Sequence, residues 1–368
     1  MRNPKGFVEL LAKKYKFKFK GTAPISYHLG MDFTREADGT LKYSPTKYIE
    51  KMIDNYKRMF GQSPSTKFRS PLEPGDHPEL DTSDFLDLEG IQRYQSLIGS
   101  LQWLISIGRF DVQVAVMTLS SFRAAPRLGH MERARRIVGY VANFKDAAIR
   151  IRTGIPESLN DYPPQLFDWD HTIYEDAKEQ IPHDYPTPLG NPVVTITYVD
   201  ANLMHDILTG KSVTGILHFI NQTPFDWFAK KQSTVETATF GSEMVAGRTA
   251  TEQIMELRTT LRYLGVPIKG PSYMFGDNKS VVDTTTIPTH KLTKRHSFLA
   301  FHRVREALAA GFLYFYHLDG KFNPADILSK HWAHHAIWGQ LQAVMFFPGN
   351  VRTLLTPEYF KQSKKQGS

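Results

Sequence analysis

Cysteine is absent from the 368-residue chain. That excludes a disulfide framework and a thiolate metal site, and it fits a reducing compartment. Long apolar runs are also missing: none approaches the roughly 18–20 residues of a membrane span. The basic start, "MRNPKGFVELLAKKYKFKFKG", has neither the apolar core nor the small-residue cleavage site of a secretory signal. Acidic residues are unevenly spread. Residues 155–193 hold Glu157, Asp161, Asp168, Asp170, Glu175, Asp176, Glu179 and Asp184 against Lys178 as their sole lysine or arginine. The net charge is nevertheless +8, so the remainder is far more basic than the average. Such a balance favours a polyanionic partner.

The pattern divides the chain into segments 1–64, 65–152, 153–193, 194–345 and 346–368. In the first, "YHLGMDFTREADGTLKYS" predicts two extended runs around an Asp38-Gly39 turn. Ser44 is expected to cap a helix whose first residue is Pro45, with Tyr48, Ile49, Met52, Ile53 and Tyr56 as its apolar stripe. The stretch "GQSPSTKFRSPLEPGDHPELD" reads as loop. Helices follow: one bearing Tyr94, Leu97, Ile98, Leu101 and Leu104, one over 111–122, and one over 129–144. The last carries Arg133, Arg135 and Arg136, either a solvated face or phosphate contacts. The acidic segment 153–193 reads as a linker or insertion.

From 194 the order becomes three strands, helix, strand, two helices, strand, helix, which predicts an α/β fold with a mixed sheet. Ser233 and Glu236 have capping-box spacing ahead of the long helix. Four acids fall where such a fold could gather them. Asp200 closes the first strand, Glu243 lies on the long helix at the edge of its buried stripe, and Asp277 closes the fourth strand. Asp326 is at the third position of the last helix, with Asn323 as its cap and Pro324 as its first residue. Tyr198-Val199-Asp200 has the look of a polymerase aspartate box, but Ala201 stands where that box needs a second carboxylate. Phosphodiester hydrolysis needs an activated water and a stabilised leaving oxygen. Two Mg²⁺ (or Mn²⁺) ions about 3.5–4 Å apart supply both, and clustered carboxylates suit such hard ions.

The segments "YVDAN", "GKSVTGILHFI", "DWFAKKQSTVETATFGSEM", "GDNKSVV", "KRHSFLAFHRVRE" and "PADILSK" stand in the order of a known motif set. Over about 194–333 the chain resembles the ribonuclease H domain of copia-type retrotransposon polyproteins. Upstream, "YQSLIGSLQWLISIGRFDVQVAVMTLSSFRAAP" resembles that family's connection region, and "ISYHLGMDFTREADGTLKYSPTKYIEKMI" the end of its polymerase. The resemblance implies a ribonuclease H-like mixed five-stranded sheet with flanking helices over 194–345. It implies a palm and thumb remnant over 1–64, a helical connection over 65–152 and a tail at 346–368. Carried over, Asp200, Glu243, Asp277 and Asp326 become the catalytic, metal-binding acids, holding two Mg²⁺ or Mn²⁺. The implied substrate is an RNA–DNA hybrid. Further implied partners are other nucleic acid and other products of the retroelement polyprotein, with no membrane involved. The polymerase box belongs before residue 1, so polymerisation by this chain alone is not expected.

Lys230, Lys231 and Gln232, and Lys291, Lys294, Arg295 and His296 in the loop "HKLTKRHS", are expected to touch the nucleic-acid backbone, where contacts position rather than specify. His302 and His317 are candidates for proton transfer beside a purely structural reading of each. Three departures from the family pattern stand out: Asn202 replaces a second acid, "TATFGSE" lacks the usual small and acidic residues, and "HLDGKFNPAD" has an unusual loop. A non-catalytic, domesticated nucleic-acid-binding remnant is therefore the alternative. Integrases and transposases of the same fold use a late glutamate, whereas the late acid here is Asp326.

Overall fold

The computed structural model describes residues 4–15, 24–292 and 295–345; the expected tail and Lys294 lie outside them. Helix α1 spans Pro4–Tyr15. Three short strands follow, β1 (Tyr27–His28), β2 (Met31–Arg35) and β3 (Leu41–Ser44). The β2–β3 turn is the expected one: Gly39 has φ +85° and Asp38 Oδ1 accepts the Thr40 N–H at 2.8 Å. Helix α2 (Thr46–Phe60) buries Ile49, Met52 and Tyr56 and ends on left-handed Gly61. Its start differs from expectation. Pro45 occupies the cap position without a side-chain bond, because Ser44 Oγ meets Thr46 Oγ1 at 2.9 Å instead.

Helix α3 (Leu88–Ser106) is capped by Asp87 and buries the expected Tyr94, Leu97, Ile98, Leu101 and Leu104. Helices α4 (Gln113–Ser120) and α5 (Leu128–Asn143) pack beside it. Arg133 and Arg136 are neither free nor simply solvated. Arg133 pairs with Asp76 and Asp81, and Arg136 with Glu73, while Arg135 donates to Tyr56 Oη at 2.8 Å. The arginines thus hold the Pro-rich loop against α5. After α5, strand β4 (Ile149–Ile151) returns to pair antiparallel with β3 and completes a small sheet, β1-β2-β3-β4.

The second sheet contains β5 (Thr195–Asp206), β6 (Lys211–Ile220), β7 (Thr223–Lys231), β8 (Ser272–Gly276) and β9 (Leu313–His317), in the order β7-β6-β5-β8-β9. The β7-β6-β5 pairings are antiparallel; β5-β8 and β8-β9 are parallel. Helices α6 (Thr239–Tyr263), α7 (Lys279–Thr286) and α8 (Phe298–Ala309) follow in the connections, and α9 (Asp326–Ser329) and α10 (His334–Val344) come last. This is the α/β, ribonuclease H-like arrangement the motifs imply: a mixed five-stranded sheet with flanking helices. Strand alternation separates its two faces. Val199 and Ala201 pack with Met244, Ile254 and Phe301 of α6 and α8. Ile196, Leu217 and Phe275 join the same core as Leu101, Phe110 and Tyr140 of the helical region. The units on either side of 153–193 therefore share one hydrophobic core.

The acidic segment crosses the outer edge of the sheet. Gln165 uses its amide both ways on β9, accepting from Phe315 N at 2.9 Å and donating to Phe315 O at 2.7 Å. The Arg305 guanidinium stands 5.0 Å from the Trp169 ring and 5.6 Å from the Tyr174 ring. Glu179 pairs with Arg258 and Arg262 of α6.

Candidate active site

The β5–β8 pairing runs from Ile196↔Tyr273 to Val199↔Gly276 and stops. The next residue on each strand is an acid, Asp200 and Asp277, so parallel register alone sets the two carboxylates side by side. Asp200 does not close β5 as expected; the strand continues against β6 to Asp206. What ends at Asp200 is its parallel neighbour. Glu243 reaches in from α6, where its Oε1 accepts the Ala201 N–H at 3.3 Å. One carboxylate oxygen from each of Asp200, Glu243 and Asp277 lies within 4.8 Å of the others.

Asp326 joins from the sequence-distant α9. That helix lies directly on β6 because residue 215 is glycine: a Cβ there would stand 2.8 Å from the carbonyl oxygen of Ala325. Asp326 begins α9, and the helix that closes the described chain is α10. Ala325, not the expected Asn323, occupies the cap position of α9; Asn323 is buried. Its Oδ1 accepts from Ala325 N, and its Nδ2 donates to Val199 O at 2.9 Å, tying the loop to β5 beside Asp200. Ser329 Oγ donates to Asp200 Oδ2. Lys330 Nζ lies 2.7 Å from Asp326 Oδ1 and 3.3 Å from the Asp200 carboxylate. Neither Ser329 nor Lys330 was assigned a role from sequence. The i,i+4 spacing of Asp326 and Lys330 was the available signal.

Burial, followed by the charges of Asp200 and Asp277, pushes the Glu243 carboxyl well above the usual range. Burial and the Asp200 charge raise Asp277. The same causes raise Asp326 to about 6, with Lys330 opposing them. Burial works against the Lys330 ammonium, but Asp200 and Asp326 outweigh it and hold its pKa above the ordinary lysine value. These are marks of negative charge crowded in a place of low solvation.

The flanking candidates divide. Lys230, Lys291 and Arg295 are exposed. Lys231 is committed to Asp206 at 2.6 Å. Gln232 is buried, with its Nε2 on Thr214 Oγ1 and Ser242 O. It ties β6 to α6 from a buried position, with its Oε1 left without a partner among the described residues. His296 Nε2 stands 3.4 Å from Glu236 Oε2. Glu236 is therefore no capping-box partner of Ser233; α6 begins only at Thr239, after Ala238. His317 donates from Nε2 to the Asp277 carbonyl at 3.1 Å and is exposed at the site's rim. His302 is bonded to Tyr174 of the acidic segment. Asn202, in place of the family's second acid, donates to His205 at 2.9 Å and so turns towards α4, whose Thr118 Oγ1 meets the other ring nitrogen.

Beside this sheet, with acids gathered from β5, the end of β8, α6 and α9, stands the sequence comparison: over most of its length the chain is similar to the Pol polyproteins of copia-type retrotransposons. It is 23% identical over 315 residues to the retrovirus-related Pol polyprotein from transposon RE1 of Arabidopsis thaliana, covering 86% of this chain and 18% of that protein. With the polyprotein from transposon TNT 1-94 of Nicotiana tabacum it is 24% identical over 315 residues, covering 85% and 21%. A putative transposon Ty5-1 protein of Saccharomyces cerevisiae is 27% identical over 188 residues, covering 50% of this chain and 54% of that one. The chain thus spans about a fifth of the length of the plant polyproteins. No family model matches it. Among solved structures, the N-terminal RNase H domain of rv2228c from Mycobacterium tuberculosis, as a fusion protein with maltose binding protein, is 14% identical with a TM-score of 0.30, covering 41% of this chain and 98% of that one. LC11-RNase H1 in complex with RNA/DNA hybrid is 15% identical with a TM-score of 0.29, covering 37% and 93%. Scores of that size do not bear on the fold, which rests on the strand order itself.

Proposed function

We propose that the chain is a ribonuclease H-type nuclease of a retroelement, cutting the RNA strand of RNA–DNA hybrids with two Mg²⁺ or Mn²⁺ ions. The convergence of Asp200, Glu243 and Asp277 on one point, with Asp326 linked through Lys330, carries this reading. The donor set fits: all four ligands are carboxylates, suited to hard cations, and the raised pKa values of Glu243, Asp277 and Asp326 report excess negative charge that a cation relieves. Such ions, when bound, polarise the phosphate and stabilise the attacking and leaving oxygens. Asp200 and Asp277 hold their side, Glu243 closes it from α6, and Asp326 closes it from α9. His317, its Nε2–H fixed on the Asp277 carbonyl, can give a proton to the departing sugar oxygen from Nδ1 when the ring carries both protons. In this reading the exposed Lys230, Lys291 and Arg295 track the phosphate backbone. Choice of a hybrid over other duplexes rests on groove shape and 2′-hydroxyls rather than base sequence.

Incubation of an end-labelled hybrid with the full chain and Mg²⁺ tests this. Cleavage of the RNA strand is expected, with Asp277→Asn reducing the rate at least on the order of 100-fold, since even groups that merely orient a metal ligand are worth 10–100-fold. Folded protein that binds the hybrid and yields no product would overturn the nuclease reading in favour of a nucleic-acid-binding remnant.

A further inference from the structure

Lys330 is oddly placed for a surface lysine. Its side chain is 37% exposed, and its ammonium bridges Asp326 at 2.7 Å and Asp200 at 3.3 Å. The surroundings fix both partners. Ser329 Oγ engages Asp200, Asn323 anchors the loop to Val199, and α9 is seated against Gly215. The backbone under Lys330 is therefore held, while its four-carbon stem stays free to move. A divalent cation bound by Asp200 and Asp326 would need the oxygens that the ammonium now occupies.

We propose that Lys330 is a displaceable resident cation. It holds Asp200 and Asp326 together in the ion-free protein and must leave their oxygens when a divalent ion enters, so it raises the ion concentration at which the site fills. This inference rests on the proposed metal centre, and the experiment separates the two. Mn²⁺ binding to the full chain is titrated by calorimetry, without nucleic acid, in wild type, Lys330→Met and Lys330→Arg. Removing one unit charge at about 3 Å is expected to tighten Mn²⁺ binding on the order of tenfold in Lys330→Met, while Lys330→Arg stays near wild type. The ion-free unfolding midpoint of Lys330→Met is expected to fall, because two carboxylates lose their counter-charge, and saturating Mn²⁺ restores it. Unchanged or weaker binding in a folded Lys330→Met overturns the proposal and leaves the metal centre standing. Absence of Mn²⁺ binding in both wild type and Lys330→Met overturns the metal centre and this inference with it. If Lys330→Met does not fold, Lys330→Gln gives the same readout with a polar side chain.

Discussion

Two buried charge clusters sit in this molecule and are built on opposite principles. In the helical region, Arg109 is wholly buried. It donates from Nε and Nη2 to the two oxygens of Asp111 at 2.9 and 2.8 Å, and from Nη1 to Phe144 O. Tyr140 Oη donates to Asp111 Oδ2 at 2.8 Å. Plus meets minus, and the groups close on each other. At the sheet, four acids gather, Lys330 pairs with only Asp200 and Asp326, and Glu243, Asp277 and Asp326 have raised pKa values. A cluster that satisfies itself holds a fold together. One that stays short of positive charge holds its carboxyls above their usual pKa range and adds nothing of that kind to the fold.

The sharpest way to break the contrast is to damage the closed cluster. Arg109→Met strands Asp111 in the core, and we expect a loss of about 3–5 kcal/mol in urea unfolding. Asp200→Asn, by contrast, should leave stability equal or higher in the absence of ions while abolishing cleavage. Equal destabilisation by both would erase the distinction.

A second test uses pH. In the fold Asp326 has its pKa raised from 3.8 to about 6, so it keeps a proton that the unfolded chain has released between those values. Its contribution is present below pH 4 and lost as pH rises through 6. His205, depressed to about 4 by burial, acts oppositely: its contribution is present above 6.5 and lost as pH falls towards 4. Because the two oppose, the informative quantity is the difference between wild type and Asp326→Asn. The variant should gain on wild type by roughly 1–3 kcal/mol between pH 4 and 7 without ions, measured by thermal melts. A flat difference would mean that Asp326 is not strained. An effect of no larger size is expected from Gly215→Ala, where the added methyl meets the α9 backbone. A cost of about 1–3 kcal/mol is expected, with cleavage falling further than stability because Asp326 shifts. Equal loss in both would mean that α9 only packs.

Much of this was legible beforehand, for identifiable reasons. The stripe of α3 and the alternation of β5 and β6 are long and regular, so the elements could be read. The four acids could be singled out because they stand in a recognisable order of motifs, although Asp200 lies within β5 rather than at its end. Other features lacked a local signal. Strand β4 has three residues and exists only because β3 offers it an edge. Helix α6 starts late because Glu236 is drawn to His296 rather than to a cap. Gln232 and Lys231 look like surface polar residues in sequence, and only the packing of β6, β7 and α6 turns them inward. Lys330 was passed over because a lysine four residues after an aspartate is usually an ordinary helix-surface pair.

Gln165 carries a last consequence. One amide takes the place of an additional strand on the outer edge of β9, since both of its polar atoms are spent on a single peptide unit. The width of the platform is thereby decided at one residue, remote from the acids. Chain on either side of that residue can lengthen or shorten without altering how many strands lie beneath the reacting groups, provided Glu179 still meets Arg258 and Arg262.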